Sequence, residues 1–196
     1  MRHRAAIHQT SSTTWAERYP ELFDLAQRRA PRAARILSFG CSTGEELDAV
    51  RRRFPDAAII GAEINPRSRK AAARLVAADP RIQVVAPDAI EGEFDIIFAL
   101  AVLQRLPESV AKSGTTDLSP IYPFERFDRQ VSQLAGWLRP DGLLCVMNAH
   151  YRVEDSGAAS QLGTDDGSPP LSHPIFGSDG RILPPSAIGR SLFRKL

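Results

Sequence analysis

An apolar run, Ile36-Leu37-Ser38-Phe39, ends in a glycine turn, Gly40-Cys41-Ser42-Thr43-Gly44, and a helical segment starts at once with Glu45-Glu46-Leu47. Few arrangements suit that order. A short apolar run bounded by glycine reads as a buried strand. Glycine permits positive φ and lets another group come close to the backbone. Acids in a first helical turn complement the positive end of the helix dipole. The unit is strand, turn, helix, the opening of a βαβ crossover.

The pattern recurs. Strand-like runs fall at 57–62, 82–86, 94–100 and 143–149, with Asp141-Gly142 as a turn before the last. Helical stretches lie at 14–30 across Pro20, at 44–54, after Pro66, and at 124–138, where Phe127, Val131, Leu134 and Leu138 share a face. Strands alternating with helices imply parallel βαβ units with right-handed crossovers. The expected class is α/β. Residues 111–123 and 154–174 break the pattern with Ser, Gly and Pro, so they read as loops; long loops in a compact domain are lids, binding loops or disorder. Residues 191–196 are the candidate closing strand.

At 196 residues, 43% hydrophobic and 24% charged, the chain has the composition of one globular domain. No run of 18 apolar residues is present, so no membrane span is expected, and the first fifteen residues lack the apolar core of a secretory signal. Of 25 basic residues, 22 are Arg, but they are scattered and the net charge is only +2. A nucleic-acid footprint would be concentrated, so no nucleic-acid partner is expected. Cys41 and Cys145 cannot make a disulfide framework or a metal cluster. No metal is expected, and the expected compartment is the reducing cytoplasm.

In a doubly wound sheet, ligands bind at the carboxyl ends of the strands. Glu63 stands there, 19 residues after Gly44, where an acid can accept both hydroxyls of a ribose. Asp88 follows the third strand in the same way and suits an adenine amino group. Together they suggest a nucleoside site; the bland alternative is a tight turn with solvated acids.

The turn GCSTGEE at residues 40–46 resembles motif I of class I S-adenosylmethionine-dependent methyltransferases, and its wording is similar to that of the chemoreceptor methyltransferases. The resemblance continues through Gly61-Ala62-Glu63-Ile64-Asn65, Asp88-Ala89-Ile90, the 94–100 run, and Leu134 to Leu144, so it covers residues 35–150. It implies a Rossmann-like methyltransferase fold, a doubly wound, mostly parallel seven-stranded sheet, with residues 1–34 as an N-terminal helical lid and 35–196 as the cofactor-binding domain. It implies S-adenosyl-L-methionine as cofactor. Gly40, Cys41, Ser42, Gly44, Ala99, Leu100 and Leu103 would then lie near its methionine part, Glu63 at the ribose, Ile64 on the adenine, and Asp88 with Ala89 at the adenine edge. One departure stands out. Many members carry an acid two residues before the first motif glycine, and this chain has Ser38. A nicotinamide enzyme is the rival within the fold, but its G-x-G-x-x-G fingerprint fails at Ser42 and Glu45.

Methyl transfer is an in-line displacement governed by positioning. A base is needed only where the acceptor must lose a proton. His150, at the end of the fifth strand, is the candidate base, because imidazole titrates near neutrality; Tyr151 beside it is a candidate for orienting the acceptor. Trp15, Arg18 and Tyr19 in the N-terminal helix and Tyr122 in the 111–123 loop are candidate acceptor contacts. Arg126 and Arg152 are candidate anchors should the acceptor be anionic. The expected reaction is methyl transfer to a small organic acceptor. Methylation of protein or RNA, and cofactor binding without catalysis, are the alternatives. A D/N-P-P-Y motif after the fourth strand would favour nucleic-acid amines, and that place reads Ala99-Leu100-Ala101-Val102.

Overall fold

The structure, a computed structural model, describes residue 8 and residues 18–165, 167–172 and 174–196. Trp15, expected in the N-terminal lid, and His173 lie outside them.

Seven strands form one sheet in the order β3-β2-β1-β4-β5-β7-β6. They are β1 (Arg35–Phe39), β2 (Ala58–Ala62), β3 (Ile82–Val85), β4 (Phe94–Leu100), β5 (Leu138–Met147), β6 (Leu162–Thr164) and β7 (Leu192–Lys195). The first five run parallel; β7 pairs antiparallel with β5, opposing Leu144 to Phe193, and β6 pairs antiparallel with β7. The helices are α1 (Pro20–Arg29), α2 (Glu45–Arg53), α3 (Pro66–Leu75), α4 (Pro107–Ser113) and α5 (Phe124–Gly136). Each residue of β4 from Ile96 to Leu100 is buried, the pattern of a parallel strand covered on both faces. Among the described residues no helix is long and apolar enough to cross a membrane.

Local chemistry explains the boundaries. Proline at the first position opens α1, α3 and α4, where its missing N–H costs nothing. Asn65 caps α3 by accepting the Arg67 amide at 2.9 Å. The reading of 111–123 as loop is corrected at its start, since α4 runs on to Ser113. β5 also begins earlier than expected, because Phe94 pairs with Leu138 before the register shifts around the Asp141-Gly142 turn.

Residues 1–34 are expected as a lid, and within them α1 is built into the common core. Leu22, Phe23, Leu25 and Ala26 are buried, and the Phe23 ring meets Phe98 of β4 edge-on at 5.1 Å. Leu22, Phe23 and Leu25 each contribute about 2 kcal/mol of burial free energy. The element therefore behaves as a sheet-covering helix.

The sheet reverses its winding between β1 and β4. Their carboxyl ends stand side by side there, leaving the crevice in which a ligand of this fold class sits.

Candidate active site

Backbone geometry marks this edge as special. Besides glycines, positive φ occurs at Ser42 after β1, Ala101 after β4 and Asn148 after β5. Strain of this kind persists where the surroundings over-determine it, and it collects at functional sites.

The turn after β1 is tied down first. The amides of Gly40 and Cys41 both donate to the Ala62 carbonyl, at 2.8 and 3.1 Å. Gly44 caps α2 with φ +103°. A Cβ there would lie 3.0 Å from the Ala72 Cα, so both conformation and space demand glycine. Glu63 is the second tie. Its carboxylate is 8% exposed and accepts the Ser42 amide at 2.9 Å and the Asn65 amide at 2.6 Å. It therefore fixes the strained Ser42 to the end of β2. Cys41 is buried, and burial followed by the charges of Glu63 and Glu46 pushes its thiol far up, so it is not a nucleophile.

The Ser38 departure has a structural counterpart. The Ser38 hydroxyl donates to Glu46 at 2.7 Å, so α2 delivers a carboxylate to the place where the strand lacks one. Burial pushes Glu46 up to about 7, against the pull of the Ser38 hydroxyl and of Arg18. Tyr19 adjoins this group: its hydroxyl accepts from the Asn148 side chain at 2.8 Å, and the Arg18 guanidinium lies 5.2 Å from its ring centroid. Burial raises Tyr19 to about 12, and Arg18 opposes that rise. Arg18, Tyr19, Ser38, Glu46 and Asn148 thus converge from the α1 approach, β1, α2 and the end of β5. Glu46 and Asn148 were not singled out from the sequence; the serine at position 38 was the one available hint.

Ile64, Asp88 and Ala89 stand partly or fully exposed beyond β2 and β3, on the same edge. Ala99 and Leu100 end β4 and are buried; Leu103 is buried too, and its carbonyl accepts the His150 amide at 3.3 Å.

The other half of the edge, beyond β4 and β5, differs from expectation. His150 is 3% exposed, and its Nε2 lies 3.0 Å from the Arg105 carbonyl. A carbonyl can only accept, so Nε2 carries the proton. Burial lowers the His150 pKa, the carbonyls of Arg105 and Pro174 opposing. Tyr151 is fully buried and donates to the Tyr122 carbonyl. Tyr122 is also fully buried, and its hydroxyl pairs with His8 Nδ1. These three rings, with Phe124, Phe127 and Phe176, form an aromatic floor. His150, Tyr151 and Tyr122, the expected base and acceptor contacts, are thus buried with their polar atoms engaged. Arg126 lies over the Tyr122 ring at 5.7 Å. Arg152 forks onto Asp155 with contacts of 2.8 and 2.7 Å, which occupies it locally. Among the described residues no cluster of three or more His, Cys, Asp or Glu side chains is placed to hold a metal.

Residues 37–144 match the family described as methyltransferase domain. The chain belongs to that family. It is 31% identical to a malonyl-[acyl-carrier protein] O-methyltransferase of Halalkalibacterium halodurans over 77% of this chain and 55% of that one. It is 30% identical to a trans-aconitate 2-methyltransferase of Methylobacterium radiotolerans over 85% of this chain and 58% of that one. This methyltransferase-domain chain thus spans little more than half the length of the curated relatives it matches. Among solved structures it is similar in fold to CalS10, an amino pentose methyltransferase from Micromonospora echinaspora, with TM-score 0.50, 19% identity, and coverage of 94% of this chain and 78% of that one.

Proposed function

We propose that the protein transfers a methyl group from S-adenosyl-L-methionine to a small organic acceptor that carries a carboxylate. The observation that supports it most is Glu63, a nearly buried carboxylate held by two backbone amides at the crevice of a methyltransferase-domain fold. The residues present suit the cofactor. Glu63 and Asp88 offer acceptors to ribose and adenine. Glu46, aligned through Ser38, offers a carboxylate to the amino group, and the glycine turn allows close approach. The similar CalS10 structure is described as bound to this cofactor.

The bound cofactor supplies a methyl group on a sulfonium. The chain's own contribution is to align acceptor, methyl carbon and sulfur, the source of much of the rate in such displacements. A carboxylate already has its attacking lone pair, so the bond from oxygen to carbon forms, the carbon–sulfur pair stays on sulfur, and no proton moves. This agrees with His150 and Tyr151, whose ring proton and hydroxyl are directed at backbone carbonyls. Two similar proteins are named for malonyl and trans-aconitate acceptors, both acids.

The test offers methyl-labelled cofactor and purified protein a panel of small mono-, di- and tricarboxylic acids, phenols, bulk tRNA and protein. Label should enter the acids as base-labile methyl esters. Label confined to tRNA, protein or phenols, or absent from every acid, would refute the reading.

A further inference from the structure

The chain has three tyrosines, and they use their hydroxyl groups differently. Tyr151 donates to the Tyr122 carbonyl, and the Tyr122 hydroxyl is paired with His8. Tyr19 is half-buried, and its hydroxyl oxygen accepts the Asn148 side-chain amide at 2.8 Å. A hydroxyl both accepts and donates, so that bond leaves the phenolic proton unspent. Among the described residues none accepts it.

Both partners are held in place. Tyr19 stands at the N-cap of α1, and its carbonyl accepts the amides of Leu22 and Phe23, whose side chains are buried in the core. Asn148 follows β5 directly with φ +50°, and the Met147 carbonyl before it accepts the Ala101 amide beyond β4 at 2.7 Å. The Tyr19 hydroxyl is thus fixed at the carboxyl end of β5, one strand from β4 and two from β1. Burial raises it to about 12, with Arg18 opposing and Glu46 adding to the rise, so its proton stays on oxygen at neutral pH. A carboxylate only accepts, and a hydrogen bond to an ionised oxygen is about twice as strong as one between neutral groups.

We propose that Tyr19 seats the methyl acceptor: its hydroxyl, oriented by Asn148, donates to the carboxylate oxygen that does not take the methyl group. The attacking oxygen keeps its lone pair, the oxygen–carbon bond forms as the carbon–sulfur pair stays on sulfur, and the tyrosine keeps its proton. Asn148 is a positioning residue that sets which way that proton points. The inference rests on the methyltransferase reading and names a contact within it.

The acids of the panel above, butyrate, succinate and tricarballylate included, are supplied with methyl-labelled cofactor to the full chain as wild type, Tyr19→Phe, Asn148→Asp and Asn148→Gly. Tyr19→Phe should raise KM for the labelled acids about tenfold or more, with S-adenosylhomocysteine affinity unchanged by calorimetry. Asn148→Asp separates seating from mere support. A carboxylate at that place accepts the phenolic proton, so the two side chains stay bonded while the donor is withdrawn. This variant should melt as wild type yet lose as much as Tyr19→Phe, by the same factor for mono-, di- and tricarboxylates. Asn148→Gly, which suits the positive φ, removes only the orienting bond and should lose less. Wild-type KM in Tyr19→Phe or in Asn148→Asp would overturn the inference, as would an Asn148→Asp loss that grows with the number of carboxylates, the mark of simple repulsion. Acids labelled by the wild type and equally by every variant would overturn this inference alone. No acid labelled by the wild type would overturn the methyltransferase reading and this inference with it.

Discussion

The two halves of the strand-end edge are built from opposite materials. Beyond β1 to β3 stand backbone amides and carboxylates: the Gly40–Gly44 turn, Glu46, Glu63 and Asp88. Beyond β4 and β5 stand buried aromatic rings, with Arg126 over Tyr122 and a neutral His8 beside it. A cofactor carrying a sulfonium and an amino group is favoured by the first half, while the second is closed by packed rings whose polar atoms are engaged. The difference divides the sheet edge into a polar half and a packed half.

The largest effect should come from breaking the backbone of the first half. Gly44→Ala places a Cβ 3.0 Å from the Ala72 Cα at φ +103°. Strain of this kind costs about 1–3 kcal/mol, so the thermal midpoint should fall by several degrees and S-adenosylhomocysteine should no longer shift it. A variant that melts and binds as wild type would show that the turn is not the rigid element described.

A smaller, pH-dependent effect belongs to Glu46. Its pKa is raised from 4.5 to about 7 in the folded chain. The stability linked to it is therefore complete below 4.5 and is lost as pH rises through about 7. Glu46→Gln should flatten the unliganded protein's stability profile across that window. Affinity for S-adenosylhomocysteine should run the other way in the wild type, rising with pH as the carboxylate ionises beside the amino group, and this rise should vanish in Glu46→Gln. Parallel pH profiles for wild type and variant would remove Glu46 from the cofactor half.

The smallest effect is expected at Arg152. Its pair with Asp155 is partly exposed, and such pairs contribute about 1 kcal/mol or less. Arg152→Ala should leave acid binding and cofactor binding unchanged by calorimetry. A loss of acid binding would make Arg152 an anchor for the acceptor.

The same contrast explains what could be read in advance. β1 and β4 are apolar runs with sharp ends, and the glycine turn and Glu63 lie within about 25 residues of one another. Local pattern suffices for these. β6 has three residues inside a polar stretch, and α4 starts at Pro107 after Leu106 takes positive φ, so neither has a strong local signal. In the second half, contacts span the chain: His8 meets Tyr122 across 114 positions. Whether Tyr122 and Tyr151 line a pocket or support one depends on what tertiary packing lays over them, and periodicity does not carry that. Arg105 sits outside any motif, and its carbonyl meets His150 across 45 positions. Glu46 shows the intermediate case, a residue inside the motif whose partner, Ser38, was legible only as a departure.

The central claim, a polar cofactor half beside a packed aromatic half, is tested most directly by calorimetry on two variants. S-adenosylhomocysteine is titrated into wild type, Glu63→Gln and Tyr122→Phe. Glu63→Gln should lose about tenfold or more in affinity, while Tyr122→Phe should bind as wild type. Loss of affinity in both variants, or in neither, would contradict the division.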